Sequence, residues 1–383
     1  MLFAQVHLDV PIDGPFDYLV GPHHVAKGSI VVVPFRRKKL VGIVESVSDE
    51  SLVDHRKLKI IESVFNLDPL PASYFSFCQF VARYYCARFG QVLFLGLPLA
   101  IRRVNFLERF SETVFCLTEK GHQEIPGSLS SRTFGKKKLF DMFQGQKSIT
   151  LAQAKSVYST ARAELASWSD KEWITSGQRN QNYEFTSTRK FTDDQEPTIG
   201  IELTEPQQAA VENISANLDT HQAWLLQGVT GSGKTEVYFE VMAKTLRLGR
   251  QIMVLVPEIN LTPQFESRLR SRFPKYQIVT LNSSMSDKER LQAWMLVRSG
   301  VASIVLGTRL AIFASLPKLG LIVVDEEHDM SYKQVEGVRY NARDLAIYLA
   351  SENNIPIILG SATPSLETYF NFVQGKYKRL KLN

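Results

Sequence analysis

Eight consecutive residues constrain this chain more than any others: Gly228, Val229, Thr230, Gly231, Ser232, Gly233, Lys234 and Thr235. They read G-x-x-x-x-G-K-T, the spacing with which a glycine loop and a helix N-terminus present backbone N–H groups to a polyphosphate. The flanks fit that geometry. Ala223-Trp224-Leu225-Leu226 is a short apolar run of strand type, and residues 236–248 carry a helical pattern that Gly249 can close. In such a loop the backbone of residues 231–234 wraps the phosphates. Lys234 reaches the β/γ-phosphates and the Thr235 hydroxyl ligates Mg2+.

A triphosphatase of this kind needs a carboxylate at the end of a neighbouring strand. Leu321-Ile322-Val323-Val324 is a β-rich run that ends in Asp325-Glu326-Glu327-His328. An open α/β sheet binds ligands at the C-terminal ends of its strands, which places Asp325 beside the phosphate loop. Asp325 is then the Mg2+ carboxylate, and Glu326 the base that polarises the attacking water. No Asn-Lys-x-Asp segment reads guanine, and no Leu-Ser-Gly-Gly-Gln segment marks a transport cassette. No apolar stretch is long enough to span a bilayer, and Asp9 and Asp13 interrupt any signal-peptide pattern, so a cytoplasmic protein is expected.

At 383 residues, 44% of them hydrophobic, two or three domains are expected. Cys78, Cys86 and Cys116 show no metal-site spacing and are expected in buried packing. A net charge of +6 permits nucleic-acid binding without requiring it. Residues 201–383 alternate strands (252–256, 278–281, 303–306, 321–324, 355–359) with helices (263–273, 287–298, 342–351). Pro364 is expected to open a last helix. The pattern predicts a multidomain α/β protein with a RecA-like P-loop lobe. Residues 1–105 read as a small β domain (strands at 3–10, 29–35 and 40–47) with a helix at 72–88. Residues 106–176 read as a winged-helix-like module, and the polar stretch 177–200 as a linker.

The segments Gly228-Val-Thr-Gly-Ser-Gly-Lys-Thr-Glu-Val-Tyr238, Val256-Pro-Glu-Ile, Leu261-Thr-Pro-Gln264, Gly307-Thr-Arg309 and Asp325-Glu-Glu-His-Asp329 resemble those of superfamily 2 helicases. With Ser331-Tyr-Lys-Gln334, Arg339-Tyr340, Ala342-Arg-Asp344 and Gly360-Ser-Ala-Thr-Pro364, they strongly resemble the PriA family of bacterial replication-restart helicases. Pro15-Phe-Asp-Tyr18, Val33-Pro-Phe35 and Gly42-Ile-Val44 resemble that family's domain for the 3′ end of a DNA strand.

The resemblance implies an ATP-dependent 3′-to-5′ DNA helicase that binds forked and single-stranded DNA, together with single-stranded DNA-binding protein and other primosome proteins. It implies a bacterial, nucleoid-associated location. It also implies a specific set of residue roles. Gln207 would read adenine, favouring ATP, or else be a polar helix-start residue. Arg309 would contact phosphates. His328, Ser361 and Thr363 would couple hydrolysis to DNA, or cap a strand end. Tyr332 and Tyr340 would stack on unpaired bases, with Lys333, Arg339 and Arg343 on phosphates. Phe16, Asp17 and Lys59 would hold the terminal 3′ nucleotide, Asp17 accepting from its free 3′-OH or else serving as a turn residue. Val338, Asn341, Asn282, Leu310 and Arg36 depart from the family pattern. The family's zinc module, second helicase lobe and C-terminal domain are expected outside this chain. That leaves open a fork-DNA- and ATP-binding module with little hydrolysis or unwinding on its own.

Overall fold

The computed structural model describes residues 1–51, 53–106, 111–129, 133–146, 148–180, 202–257, 263–282 and 284–382. Glu258, Ile259, Leu261 and Thr262 of the helicase-like segments, and residues 181–200 of the expected linker, lie outside them. Two compact units divide the chain: Met1–Val104 joins Phe185–Asn383, and Asn105–Glu184 stands as the other.

The larger unit begins with β1 (Phe3–Leu8), β2 (Phe16–Leu19), β3 (Ile30–Phe35), β4 (Lys38–Ser48) and β5 (Ser63–Val64), an antiparallel sheet in the order β2-β1-β4-β3-β5. Ala4, Val6, Leu8, Val31, Val33 and Val44 build its core. Alternate positions on these strands face one way, so the β-branched residues collect on one side. Two helices follow, α1 (Ala72–Tyr84) and α2 (Phe89–Leu95).

The smaller unit contains β6 (Ser111–Leu117), α3 (Glu119–Ser128), α4 (Phe134–Gly145), β7 (Ile149–Thr150), α5 (Leu151–Val157), α6 (Ala161–Asp170) and β8 (Ile174–Asn180), with sheet order β7-β6-β8. Leu139, Phe140, Phe143, Leu165, Trp168 and Trp173 form its core. The arrangement is winged-helix-like. Strand β8 pairs with β6 as far as Asn180, so residues 177–180 are strand and not linker. Pairing with a formed neighbour overrides their polar composition.

The rest of the larger unit is α7 (Glu205–Ser215), β9 (Ala223–Gln227), α8 (Lys234–Arg247), β10 (Gln251–Leu255), α9 (Pro263–Arg272), β11 (Ile278–Leu281), α10 (Asp287–Arg298), β12 (Ile304–Gly307), β13 (Leu319–Val324), α11 (Ala342–Glu352), β14 (Ile357–Ser361), α12 (Leu366–Val373) and β15 (Lys378–Lys381). All seven strands run parallel in the order β11-β12-β10-β13-β14-β9-β15. Every residue of β10, β12 and β14 is buried, as parallel strands covered on both faces require. Ser365, not Pro364, caps α12: its Oγ accepts from the Thr368 N–H at 3.3 Å. A hydroxyl satisfies a free helix N–H, which a proline ring cannot.

Within the larger unit, the N-terminal residues and the seven-stranded lobe keep separate sheets but touch through a few polar contacts. Arg298 at the end of α10 donates to the carbonyls of Asp68 and Pro69 at 2.6 and 2.9 Å. Arg103 pairs with Asp287 at 2.7 Å, and the Tyr85 hydroxyl accepts from the Asn341 N–H at 3.1 Å. Cys78 is buried and Cys116 half-buried, but Cys86 is exposed in a turn with φ 51°. The turn leaving α1 carries it out of the core.

Candidate nucleotide site and nucleic-acid interface

Strands β13, β14 and β9 are neighbours, so the segments after their C-terminal ends meet. The phosphate loop follows β9. Gly231 and Gly233 take φ of 86° and 83°, a left-handed conformation that admits glycine readily. Helix α8 then begins with no side-chain cap, leaving its first N–H groups for a ligand. The buried Lys234 ammonium donates to the carbonyls of Gly228 at 2.8 Å and Val229 at 3.4 Å. Ser232 Oγ is buried without a hydrogen-bond partner. A Cβ on Gly231 would meet nothing within 4 Å. An uncapped helix start, an orphaned hydroxyl and open space over a glycine turn fit a polyphosphate. Val229 and Thr230 are exposed on this loop and Thr235 is half-buried at the first turn of α8.

From β13 come Asp325 and Glu326. Glu326 Oε1 lies 3.8 Å from Lys234 Nζ, and its Oε2 lies 3.7 Å from His328 Nδ1. Its backbone is left-handed, φ 44°, a conformation costing a non-glycine residue on the order of 1–3 kcal/mol and concentrated at functional sites. Burial, reinforced by the Glu326 charge, raises the Asp325 carboxyl above its ordinary range; Tyr238 and Lys234 act the other way. His328 Nδ1 shares a 2.8 Å hydrogen bond with Ser361 Oγ, which also accepts from the Thr363 N–H at 3.0 Å. Of the residues expected to couple across the site, His328 and Ser361 meet side chain to side chain, and Thr363 joins them through its main chain. Ser361 is fully buried, whereas Thr363 is exposed.

Gln207 has both ends engaged. Its Oε1 accepts from the Thr204 N–H at 2.9 Å, completing a capping box at the start of α7, and its Nε2 donates to the Ser232 carbonyl at 3.0 Å. The helix-start role is thus realised, and the same amide braces the phosphate loop.

Three expected DNA contacts change meaning. Tyr332 and Tyr340 are each 1% exposed, so neither ring offers a face for base stacking. Tyr332 donates to the Asp325 carbonyl at 2.6 Å and the Leu255 carbonyl at 3.0 Å; Tyr340 packs edge-on against Phe313. Arg343 is buried and donates to Glu327 at 3.2 Å and Asp344 at 2.9 Å, so it is not placed for phosphate. Arg309 is half-buried and donates to Gln334 at 2.7 Å and the Ser331 carbonyl at 3.2 Å, which ties it to the same loop. Lys333 lies 5.3 Å over the Tyr85 ring and donates to the Arg339 carbonyl, while Arg339 is exposed.

At the N-terminal sheet, the Phe16 ring packs edge-on against Phe35 at 5.1 Å. Lys59 Nζ donates to the carbonyl of Arg36 at 3.1 Å, and Arg36 takes φ 52°. Asp17 accepts from Ser51 at 2.6 Å. Adjacent strand residues project to opposite faces, so Asp17 is turned away from the Phe16 side.

Residues passed over in the sequence also enter the site. Tyr238 donates to Asp325 Oδ1 at 3.0 Å. Glu327, 1% exposed, gathers Arg343, Ser365 and Thr368 around its carboxylate. Tyr238 lies in the helix that follows the phosphate loop and Glu327 within the acidic run, but nothing local separates them from ordinary core and surface residues.

Among the described residues no helix is long and apolar enough to cross a membrane. Residues 204–372 match the DEAD/DEAH box helicase family, and residues 5–98 match the 3'DNA-binding domain (3'BD). The replication restart protein PriA of Haemophilus influenzae is 37% identical across 100% of this chain and 52% of its own length. That of Bacillus subtilis is 31% identical across 100% of this chain and 56% of its own. In Helicobacter pylori the similarity is 44% over 187 residues, 48% of this chain and 30% of the relative. The chain thus spans about half the length of the full-chain relatives it matches. Matched along its whole length by these relatives, and by a helicase model and a 3′-DNA-binding-domain model over separate stretches, the chain belongs to the PriA family of replication restart proteins.

Proposed function

We propose that this chain supplies the nucleotide site and the DNA-end-holding surface of an ATP-dependent 3′-to-5′ DNA helicase that acts on forked DNA in replication restart and helps load the primosome. One observation carries the reading: Lys234, Asp325-Glu326 and the His328–Ser361 pair meet at three adjacent strand ends. The loop from Gly228 to Thr235 would hold ATP, and Thr235 with Asp325 would hold its Mg2+, which needs only one or two protein oxygens. The bound nucleotide supplies the free energy of phosphoanhydride hydrolysis. Lys234, held by two loop carbonyls, would turn its charge to phosphate. Glu326 would accept a proton from water; His328 lies 3.7 Å from it and hydrogen-bonds Ser361, which supports the role. Exposed Arg339, with Lys333 and Arg309 once released from their loop partners, would make sequence-independent, salt-sensitive phosphate contacts. Phe16, Asp17 and Lys59 would hold the 3′ end at the edge strand β2, Phe16 and Asp17 from its two opposite faces. Forked and single-stranded DNA, single-stranded DNA-binding protein and other primosome proteins are the partners of this reading, in the bacterial cytoplasm at the nucleoid.

A narrower reading applies to a polypeptide of these 383 residues alone. Its described residues form one RecA-like sheet, hence one side of the ATP cleft. A facing arginine is worth about 10³–10⁵ in rate in related triphosphatases, so this polypeptide would bind ATP but turn it over slowly.

Titration of a fluorescent ATP analogue in Mg2+ tests the common core. Lys234→Ala should bind at least tenfold more weakly; unchanged affinity refutes the site.

A further inference from the structure

Tyr238 sits in α8 one turn beyond Lys234 and is 1% exposed. A phenylalanine would fill that space as well. Burying a hydroxyl there is unfavourable unless it finds a partner. Its partner is Asp325 Oδ1, 3.0 Å away.

The opposite side of the hydroxyl is just as specific. A Cβ on Gly360 would lie 1.5 Å from Tyr238 Oη and 3.4 Å from Asp325 Oδ1. Any side chain at 360 therefore evicts the hydroxyl. Gly360 lies inside the fully buried strand β14 with ordinary strand backbone, so the missing side chain serves the tyrosine and not a turn. Tyr332 grips the same residue from its main chain, donating to the Asp325 carbonyl at 2.6 Å. One tyrosine fixes the backbone of Asp325 and the other fixes its carboxylate.

We propose that Tyr238 is a positioning residue for the Mg2+ of bound nucleotide: its hydroxyl, seated against Gly360, locks the Asp325 carboxylate in the orientation that receives the ion. The inference rests on the ATP reading above and deepens it. It joins the phosphate-loop helix, the acidic strand end and the Gly360-Ser-Ala-Thr363 segment through one hydroxyl. Outer partners of metal ligands are worth about 10–100-fold in metal affinity.

The test uses the 383-residue chain and a fluorescent ATP analogue, titrated with EDTA present and again with increasing Mg2+. Wild type should gain affinity with Mg2+. Tyr238→Phe should match wild type in EDTA yet need about tenfold more Mg2+ for half of the gain. Gly360→Ala should shift the Mg2+ midpoint in the same direction, and the double variant should be no worse than the stronger single one, because both remove the same contact. Lys234→Ala, which removes phosphate binding itself, should lose affinity in both arms and so reports separately on the ATP reading. A Tyr238→Phe midpoint equal to wild type overturns the proposal. So does an equal loss in both arms, which would make Tyr238 a core residue only, and so does a wild type without any Mg2+ gain.

Discussion

Replacing Glu327 with alanine should cost the larger unit on the order of 3 kcal/mol, although the residue touches no proposed ligand. Its carboxylate is 1% exposed and accepts from the Ser365 N–H at 2.7 Å, Ser365 Oγ at 3.0 Å, Thr368 Oγ1 at 2.7 Å and Arg343 Nη1 at 3.2 Å. Hydrogen bonds to a charged group are worth about 1.5–3 kcal/mol each, but adding four would overcount a shared network. Removing one member of a buried ion pair costs about 3–5 kcal/mol, because the other charge is left buried. Arg343 keeps Asp344 at 2.9 Å, and Ser365 still caps α12, so the lower end of that range applies. At roughly 2 °C per kcal/mol for a large domain, the melting transition should fall by about 6 °C. Scanning calorimetry reads this directly, with the transition of the smaller unit as internal reference. Glu326→Gln, changing a partly exposed carboxylate one residue away, should leave the transition within about 1 °C. A Glu327→Ala shift below about 2 °C would refute the assignment of this carboxylate as the knot between β13, α11 and α12.

Asp325→Asn should change how stability depends on pH. Burial raises this carboxyl from 3.8, so the folded chain holds its proton longer than the unfolded chain; its contribution to wild-type stability therefore falls as pH rises from 3.8 to the raised value and is constant above it. The variant lacks that slope, so parallel melting curves against pH for the two proteins would contradict the burial argument. If Asp17 accepts from a free 3′-OH, forks ending in 3′-OH should bind more tightly than forks ending in 3′-phosphate, and Asp17→Asn should narrow the gap; equal binding of both ends by wild type removes the idea. Arg298→Ala should loosen residues 1–104 from the lobe, because it deletes the two bonds to Asp68 and Pro69; limited proteolysis should then release that segment faster, and an unchanged cleavage rate speaks against the anchor.

Much of the lobe was readable because buried parallel strands are plain apolar runs, as in Leu321-Ile322-Val323-Val324, and because the phosphate loop and the acidic strand end are local motifs. What escaped depended on contacts distant in sequence. The spacing around Tyr332 and Tyr340 shows aromatic residues beside cations, but only the packing of that loop against Leu255 and Phe313 shows their faces to be covered. Glu327 looks like one more charge in an acidic run until α12 supplies Ser365 and Thr368. Residues 177–180 have linker composition, and β6 makes them a strand. Lys378-Arg379-Leu380-Lys381 shows no hydrophobic alternation worth reading as a strand, yet it completes the sheet as β15.

That last strand has a consequence for solubility. It lies on β9, whose Ala223, Trp224, Leu225 and Leu226 are all buried, and pairs with it from Lys378 opposite Trp224 to Lys381 opposite Gln227. Lys378 Nζ sits 5.2 Å over the Trp224 ring, and the Lys378, Arg379 and Lys381 side chains are exposed at the sheet's edge. A bare β9 would offer an apolar rim with unpaired amides, a template for strands of other molecules. Three cations on this short edge strand would disfavour such recruits, shielding the strand that leads into the phosphate loop.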